Sequence, residues 1–219
     1  VKAGAPFVLG NFLSSMSLKS GAPTFGMPEP VISHFVIAQL ARRLGVPLRC
    51  GGSLTASKIP DAQAAAESAD SMMSTALAGS HFTLHSAGWL EGGLATGYEK
   101  LVLDADRLGS YQVMLQGLPT DENAVASSAY SDVEPAGHFL GSAHTMANYE
   151  TAYYDAVMSD SESCEQWEER GEKDSIRRAY ERWNDILREY EAPPLDAAIA
   201  EELQDFVDRK KSSMEDAWY

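Results

Sequence analysis

Few side chains in this sequence could do chemistry, and their spacing decides which chemistry that would be. There are five histidines and two cysteines. His81 and His85 stand four apart, a spacing that brings two imidazoles to one zinc ion on a helix. Here they flank Phe82, Thr83 and Leu84, an alternation that reads as a strand. Four residues of strand span about 13 Å, so the two rings share a face without reaching one metal. His138 and His144 are spread in a similar way. Cys50 lacks the neighbouring Cys or His of a compact zinc motif. No metal site is expected. Histidines held by their own hydrogen bonds, with His34 a structural one on a helix, are the plainer reading.

Three other groupings carry chemistry. Gly51, Gly52 and Ser53 could cradle an anion with backbone N–H groups beside the N-terminus of a following helix. Neither GxGxxG nor GxxxxGK[ST] is present, so a nucleotide is not indicated. A turn that needs positive φ explains the glycines equally well. Cys50, with Ser53, Ser57 and His85, could serve a hydrolase or lyase, although most lone cysteines at strand ends are small buried hydrophobes. Last, Glu29, His85, Trp89, Glu91, His144 and Tyr149 fall on expected strand ends and loops. Acidic and aromatic groups together suit a quaternary ammonium, through charge and cation–π attraction. Trp167, Tyr180 and Trp183 lie on amphipathic helices and read as packing.

The elements that must position these residues alternate. Residues 5–10 read as a strand, 11–30 as a long Ser/Gly/Pro/Met-rich loop. A helix follows with Ile32, Phe35, Val36, Leu40 and Leu44 on one face and Gly45 as its stop. Val46 to Cys50 is a second strand. Pro60 and Asp61 open a helix whose expected buried side is Ala64, Ala65, Met72, Met73, Ala76 and Leu77. A third strand at 81–86 leads through a glycine-rich loop to a helix at 96–114. A short helix at 121–132 precedes a fourth strand at 137–142, and three helices follow at 159–171, 175–190 and 195–211.

Strand–helix alternation implies an α/β fold with a parallel sheet. Four βα units are half of a (β/α)8 TIM barrel. Residues 1–150 are therefore expected to supply roughly the C-terminal half of such a barrel, with 151–219 as a helical extension. A half-barrel exposes two strand edges, so its partner half is expected in a preceding segment or another subunit. The start at Val1 without a methionine agrees with a chain beginning inside a larger protein.

The charge balance is acidic, 32 Asp and Glu against 17 Lys and Arg, giving −15. That argues against nucleic acid and against anionic membrane surfaces, since phosphate neutralisation needs a basic face. A small cation or a basic protein is compatible. No apolar run approaches the roughly 20 residues of a membrane helix. Two distant cysteines form no disulfide framework, and a cytoplasmic setting is the expectation.

Several motifs in order resemble one family. The run GGSLTASKIPDAQAAAES from Gly51 resembles the GG-x-x-T-x-SK-x-x-D-x-QA-x-x-E segment of the trimethylamine–corrinoid methyltransferases. Gly26 to Glu29, His85 to Leu94, Tyr98-Glu99-Lys100 with Asp104, Gly137 to Leu140 and His144-Thr145 agree in the same order. The resemblance implies a TIM barrel that moves a methyl group from a methylated amine to the cobalt of a corrinoid. That corrinoid is carried by a separate small protein, so no tightly bound metal of its own is implied. Glu29, His85, Glu91 and His144 would then line the mouth, Trp89 and Tyr149 would pack on methyl groups, and Gly51, Gly52 and Ser53 would shape the loop. Some relatives use pyrrolysine on trimethylamine, and all residues here are standard ones. A quaternary amine leaves as a neutral amine and needs no general acid, so a betaine is favoured, its carboxylate on the Gly51–Ser53 loop. A non-catalytic scaffold or docking piece and a TIM-barrel lyase or hydrolase are the alternatives. A second copy of the chain is an admissible partner.

Overall fold

The computed structural model describes residues 2–215. Val1 and residues 216–219, at the ends of the two expected segments, lie outside the described residues. The chain divides between Asn184 and Asp185 into two units.

Strand β1 (Leu9–Gly10) leads into a loop that folds back as a short hairpin, β2 (Ser15–Met16) with β3 (Pro23–Thr24), before helix α1 (Pro28–Leu44). β4 (Leu48–Gly51), α2 (Ala62–Ala78) and β5 (Phe82–Leu84) follow. A second small hairpin, β6 (Trp89–Leu90) with β7 (Ala95–Thr96), precedes α3 (Tyr98–Gln116). β1, β4 and β5 form a parallel sheet in that order, with Leu9 opposite Leu48 and Cys50 opposite Thr83. Successive strands are thus neighbours, joined through helices that pack on each other.

The core explains the close packing. Ala38, Ala41, Leu48, Cys50 and Ala78 form its buried cluster. The helices contribute alanines to this cluster, Ala38 and Ala41 from α1 and Ala78 from α2, which lets their backbones approach the sheet closely. α1 buries Pro30, His34, Ala38 and Ala41, while the expected apolar face of Ile32, Phe35, Val36, Leu40 and Leu44 is exposed. α2 differs likewise. It buries Glu67, Ser68, Ser71, Ser74 and Thr75 beside Ala64, Met72 and Ala78, and leaves Leu77 exposed. Hydrogen bonding makes this polar face stable. Ser74 donates to the Ser71 carbonyl at 2.8 Å and Thr75 to the Gly51 carbonyl at 2.7 Å. Each hydroxyl has then spent its one hydrogen, so the Nδ1 of His34, at 2.8 and 3.1 Å from the two, must be the donor. Burial pushes the His34 imidazole below its ordinary pKa, which keeps it neutral. His34 is structural, as its sequence position implied.

Two boundaries moved for local reasons. Pro60 lies just outside α2, because the Asp61 carboxylate caps the helix by accepting from the Ala64 N–H at 2.9 Å. The expected fourth strand does not form. Residues Phe139–Gly141 make a 3-10 turn, and Ser142 then caps a helix, α6, by accepting from the Thr145 N–H. A run of Gly-His-Phe-Leu-Gly without a β-branched residue has little to hold it extended, and the capping serine wins. Before it, residues 122–131 form two turns, α4 (Glu122–Val125) and α5 (Ser127–Ser131), broken at Ala126, which adopts positive φ. α6 spans Ala143–Asn148.

The remaining first-unit helices include α7 (Cys164–Glu169), opened by a capping box at Ser163 and Gln166. α8 (Ser175–Glu189) crosses the boundary between the units. Its Trp183 packs on Tyr98 at 5.0 Å and donates to Glu99 at 2.9 Å. In the second unit, α9 (Ala197–Ser213) leaves Ile199, Leu203, Phe206 and Val207 exposed. Among the described residues no helix is long and apolar enough to cross a membrane.

Candidate functional site

Three chain segments leave the carboxyl ends of the parallel strands together. Asn11 and Phe12 follow β1, Gly52 and Ser53 follow β4, and His85 follows β5. Their rings form a row. Phe12 lies 5.9 Å from Phe25 and 5.2 Å from His85, and His85 lies 5.2 Å edge-on from Trp89. Ligands of open or closed parallel sheets bind at such strand ends. His85 adopts a left-handed φ of 57°, and its buried Nδ1 has no hydrogen-bond partner. A strained backbone and an unpaired buried nitrogen both cost free energy.

In the loop after β4, Gly52 is required by space. A Cβ on Gly52 would lie 2.8 Å from the Ser86 Cα and 2.9 Å from the His85 carbonyl oxygen. Neither Gly51 nor Gly52 has positive φ, so the pair makes neither the expected turn nor an anion nest. Gly51, Gly52 and Ser53 are buried, with the Ser53 carbonyl accepting from Ser68 at 3.3 Å and Lys100 at 3.4 Å.

Buried charges hold the neighbouring loops. The Glu67 carboxylate accepts from Thr55 at 2.6 Å, from the Ala56 N–H at 2.7 Å and from Gln63 at 2.8 Å. The Thr55 and Ser57 carbonyls in turn receive the N–H groups of Gly92 and Glu91, each at 2.7 Å. Gly26 presses on Glu67 so closely that a Cβ would fall 2.5 Å from its Cα. On α3, Lys100 pairs with Asp104 and donates to Ser68 at 2.9 Å, while Asp104 accepts the Gly88 N–H at 2.9 Å. Burial pushes the Lys100 ammonium down and the Asp104 carboxyl up, and their mutual attraction opposes both shifts.

His85 and Trp89 therefore meet, and Gly52 lies against the His85 backbone. Glu91 is exposed two residues beyond Trp89, at a positive φ of 49°. Glu29 is exposed in the first turn of α1, on the strand-end side of the sheet. His144 and Tyr149 are placed differently. His144 Nε2 bonds the Asn123 carbonyl at 2.6 Å, and the exposed Tyr149 donates to its neighbour Glu150 at 2.7 Å, which raises the phenol pKa. Among the described residues, the hydrogen bonds of both stay within residues 123–150.

Cys50 is 0 % exposed within the helix–sheet core, and burial pushes its thiol pKa up. Both features disfavour the thiolate a cysteine hydrolase or lyase needs. Among the described residues no three metal-ligating side chains are grouped to hold an ion. A cavity of about 840 Å³ lies beside α2 and α3 and reaches the exit of β4, lined by Ser53, Ser68, Lys100, Asp104, Arg107 and Tyr111 among others.

Sequence reasoning missed Phe12, Phe25 and Arg49. The phenylalanines sit in a loop with no period. Arg49 was legible, as the only charged residue within the three parallel strands. Leu48 and Cys50 point to the helices, so Arg49 points to the opposite, open face. There it donates to the Asn11 carbonyl at 3.4 Å and has no carboxylate partner among the described residues.

The fold is that of an α/β protein with a cluster of aromatic rings at the ends of its parallel strands. Residues 1–215 match the family described as Trimethylamine methyltransferase (MTTB), and the chain belongs to that family. It is 36 % identical over 207 residues to a glycine betaine methyltransferase of Desulfitobacterium hafniense (strain Y51), covering 94 % of this chain and 43 % of the relative. It is 30 % identical over 208 residues to the trimethylamine methyltransferase MttB of Methanosarcina barkeri, covering 94 % and 41 %. An MttB of Desulfitobacterium hafniense (strain DSM 10664 / DCB-2) is 31 % identical over 205 residues. The chain thus spans less than half the length of these curated relatives.

Proposed function

We propose that this chain forms part of a (β/α)8-type barrel that binds a methylated amine, a betaine in preference to trimethylamine, and presents one methyl group for transfer. The observation that carries the reading is the Phe12–His85–Trp89 row at the ends of the strands. Strand order runs in one direction, and α1 and α2 lie against each other. Both features support a singly wound arc rather than a doubly wound sheet. The exposed apolar face of α1 supports a further helix beside it.

A quaternary ammonium suits this site because its charge is spread over methyl groups, which aromatic rings attract without hydrogen bonding. Phe12 and Trp89 would pack on those methyls, and Arg49 would pair with a betaine carboxylate on the open face. The buried His85 Nδ1 beside the rings fits a further contact to substrate or to a corrinoid face. Such a corrinoid, carried by a separate protein, would supply the nucleophile that accepts the methyl group. The chain's own residues would bind, orient and exclude water. Calorimetric titration of the full-length protein with glycine betaine and trimethylamine tests the preference, and tighter binding of trimethylamine would count against it.

A further inference from the structure

The residues from Trp89 to Glu91 are anchored at one end by α3 and at the other by the loop after β4, neither of which contributes a ring to the aromatic row. At one end Asp104 takes the Gly88 N–H at 2.9 Å. At the other, Thr55 and Ser57 take the N–H groups of Gly92 and Glu91, and Glu67 holds that segment in turn. Asp104 is fixed by Lys100, whose ammonium also reaches Ser68 on α2 and the Ser53 carbonyl after β4. Lys100 and Asp104 are 2 % and 7 % exposed. A lone pair of this kind is poor value as a source of stability, because desolvation cancels much of the attraction. An apolar pair would pack as well. What an apolar pair could not do is accept the Gly88 N–H and donate to Ser53, and so tie the exits of β4 and β5 to one point.

We propose that Lys100 and Asp104 are positioning residues, holding the loop after β5 against the loop after β4 so that Trp89 stays on His85. They lie outside the aromatic row, bordering the cavity beside α2 and α3, and act on the row through Trp89. This rests on the reading of the aromatic row as the amine site, yet its structural half can be tested without any ligand.

The test uses full-length protein labelled with 5-fluorotryptophan, the Trp89 signal being assigned by its loss in W89F. Three variants are compared: D104N, K100M and the apolar pair K100M/D104L. D104N keeps an oxygen for the Gly88 N–H but leaves Lys100 without its counter-charge, and guards against a variant that fails to fold. The single variants are expected to lower Tm and to shift or broaden the Trp89 signal. The apolar pair is expected to recover most of the lost Tm, while the Trp89 signal stays displaced and glycine betaine binding stays at least tenfold weaker. The Trp167 signal should not move. Recovery of the Trp89 signal together with Tm in the apolar pair would overturn the proposal and leave the ion pair merely structural. If the wild-type protein binds no betaine, the amine reading fails, while the Trp89 signal still decides whether the pair positions the loop.

Discussion

Around His85, the chain is gripped at several backbone groups by residues distant in sequence. Gly88 is held from α3, Glu91 and Gly92 from the loop after β4, and Gly52 lies against the His85 carbonyl. Around His144, the segment holds itself. Ser142 caps its own helix, Asn148 donates to the His144 carbonyl at 2.8 Å, and the longest reach is to Asn123. Phe139, Leu140, Met146 and Tyr149 are exposed there. A site needs geometry that local fluctuation cannot undo, and only long-range contacts supply it. The difference separates two histidines that looked alike as candidates.

The widest gap between the two regions should appear at their glycines. Gly52→Ala places a methyl group against backbone that cannot rotate away, and is expected to cost up to about 3 kcal/mol. Gly141→Ala meets nothing within 4 Å and should be close to neutral. Equal urea midpoints for the two variants would erase the distinction. Next, His85→Ala is expected to weaken glycine betaine binding about 30-fold, near 2 kcal/mol, with His144→Ala changing it less than threefold. The reverse order in calorimetry would move the site to the 139–150 segment.

Arg49→Ala sharpens the account of the packed region. It should weaken glycine betaine binding about tenfold, as loss of one charge-assisted contact does, and leave tetramethylammonium unaffected. Equal losses for both ligands would mean that Arg49 shapes the site without meeting a carboxylate.

The smallest effect is the pH response of His34. Its folded pKa is lowered by burial, so the unfolded chain binds the extra proton more readily. Its contribution is therefore full above the ordinary value of about 6.5 and declines as pH falls below it. Urea midpoints at pH 5.5 and 7.5 should show that slope in the wild type, and His34→Gln should flatten it.

Much of this was legible in the residues. The βαβαβ order followed from short apolar runs alternating with amphipathic segments, and His85 with Trp89 came from strand-end position and ring type. On α1 the large apolar residues point away from the core, and on α2 the expected Ala64 and Met72 are buried but among polar side chains that periodicity does not single out. The structure buries Ala38, Ala41, Ser71, Ser74 and Thr75. Hydroxyls are admissible there only because specific carbonyls and His34 meet them, and no periodicity reports such partners. The fourth strand failed for a local reason that Ser142 announced three residues before Thr145.

The amino-acid sequence by itself determined the family, the alternation of elements and the motif residues, since these depend on residue type and spacing alone. Tertiary structure decided which motif residues meet. It put Phe12 and Arg49 beside the candidate ligand position, tied Lys100 to Ser53 across 47 residues, and left His144 with Asn123. The physical reason is that a buried charge or an unpaired nitrogen acquires its role from the groups that surround it, and those groups come from distant parts of the chain.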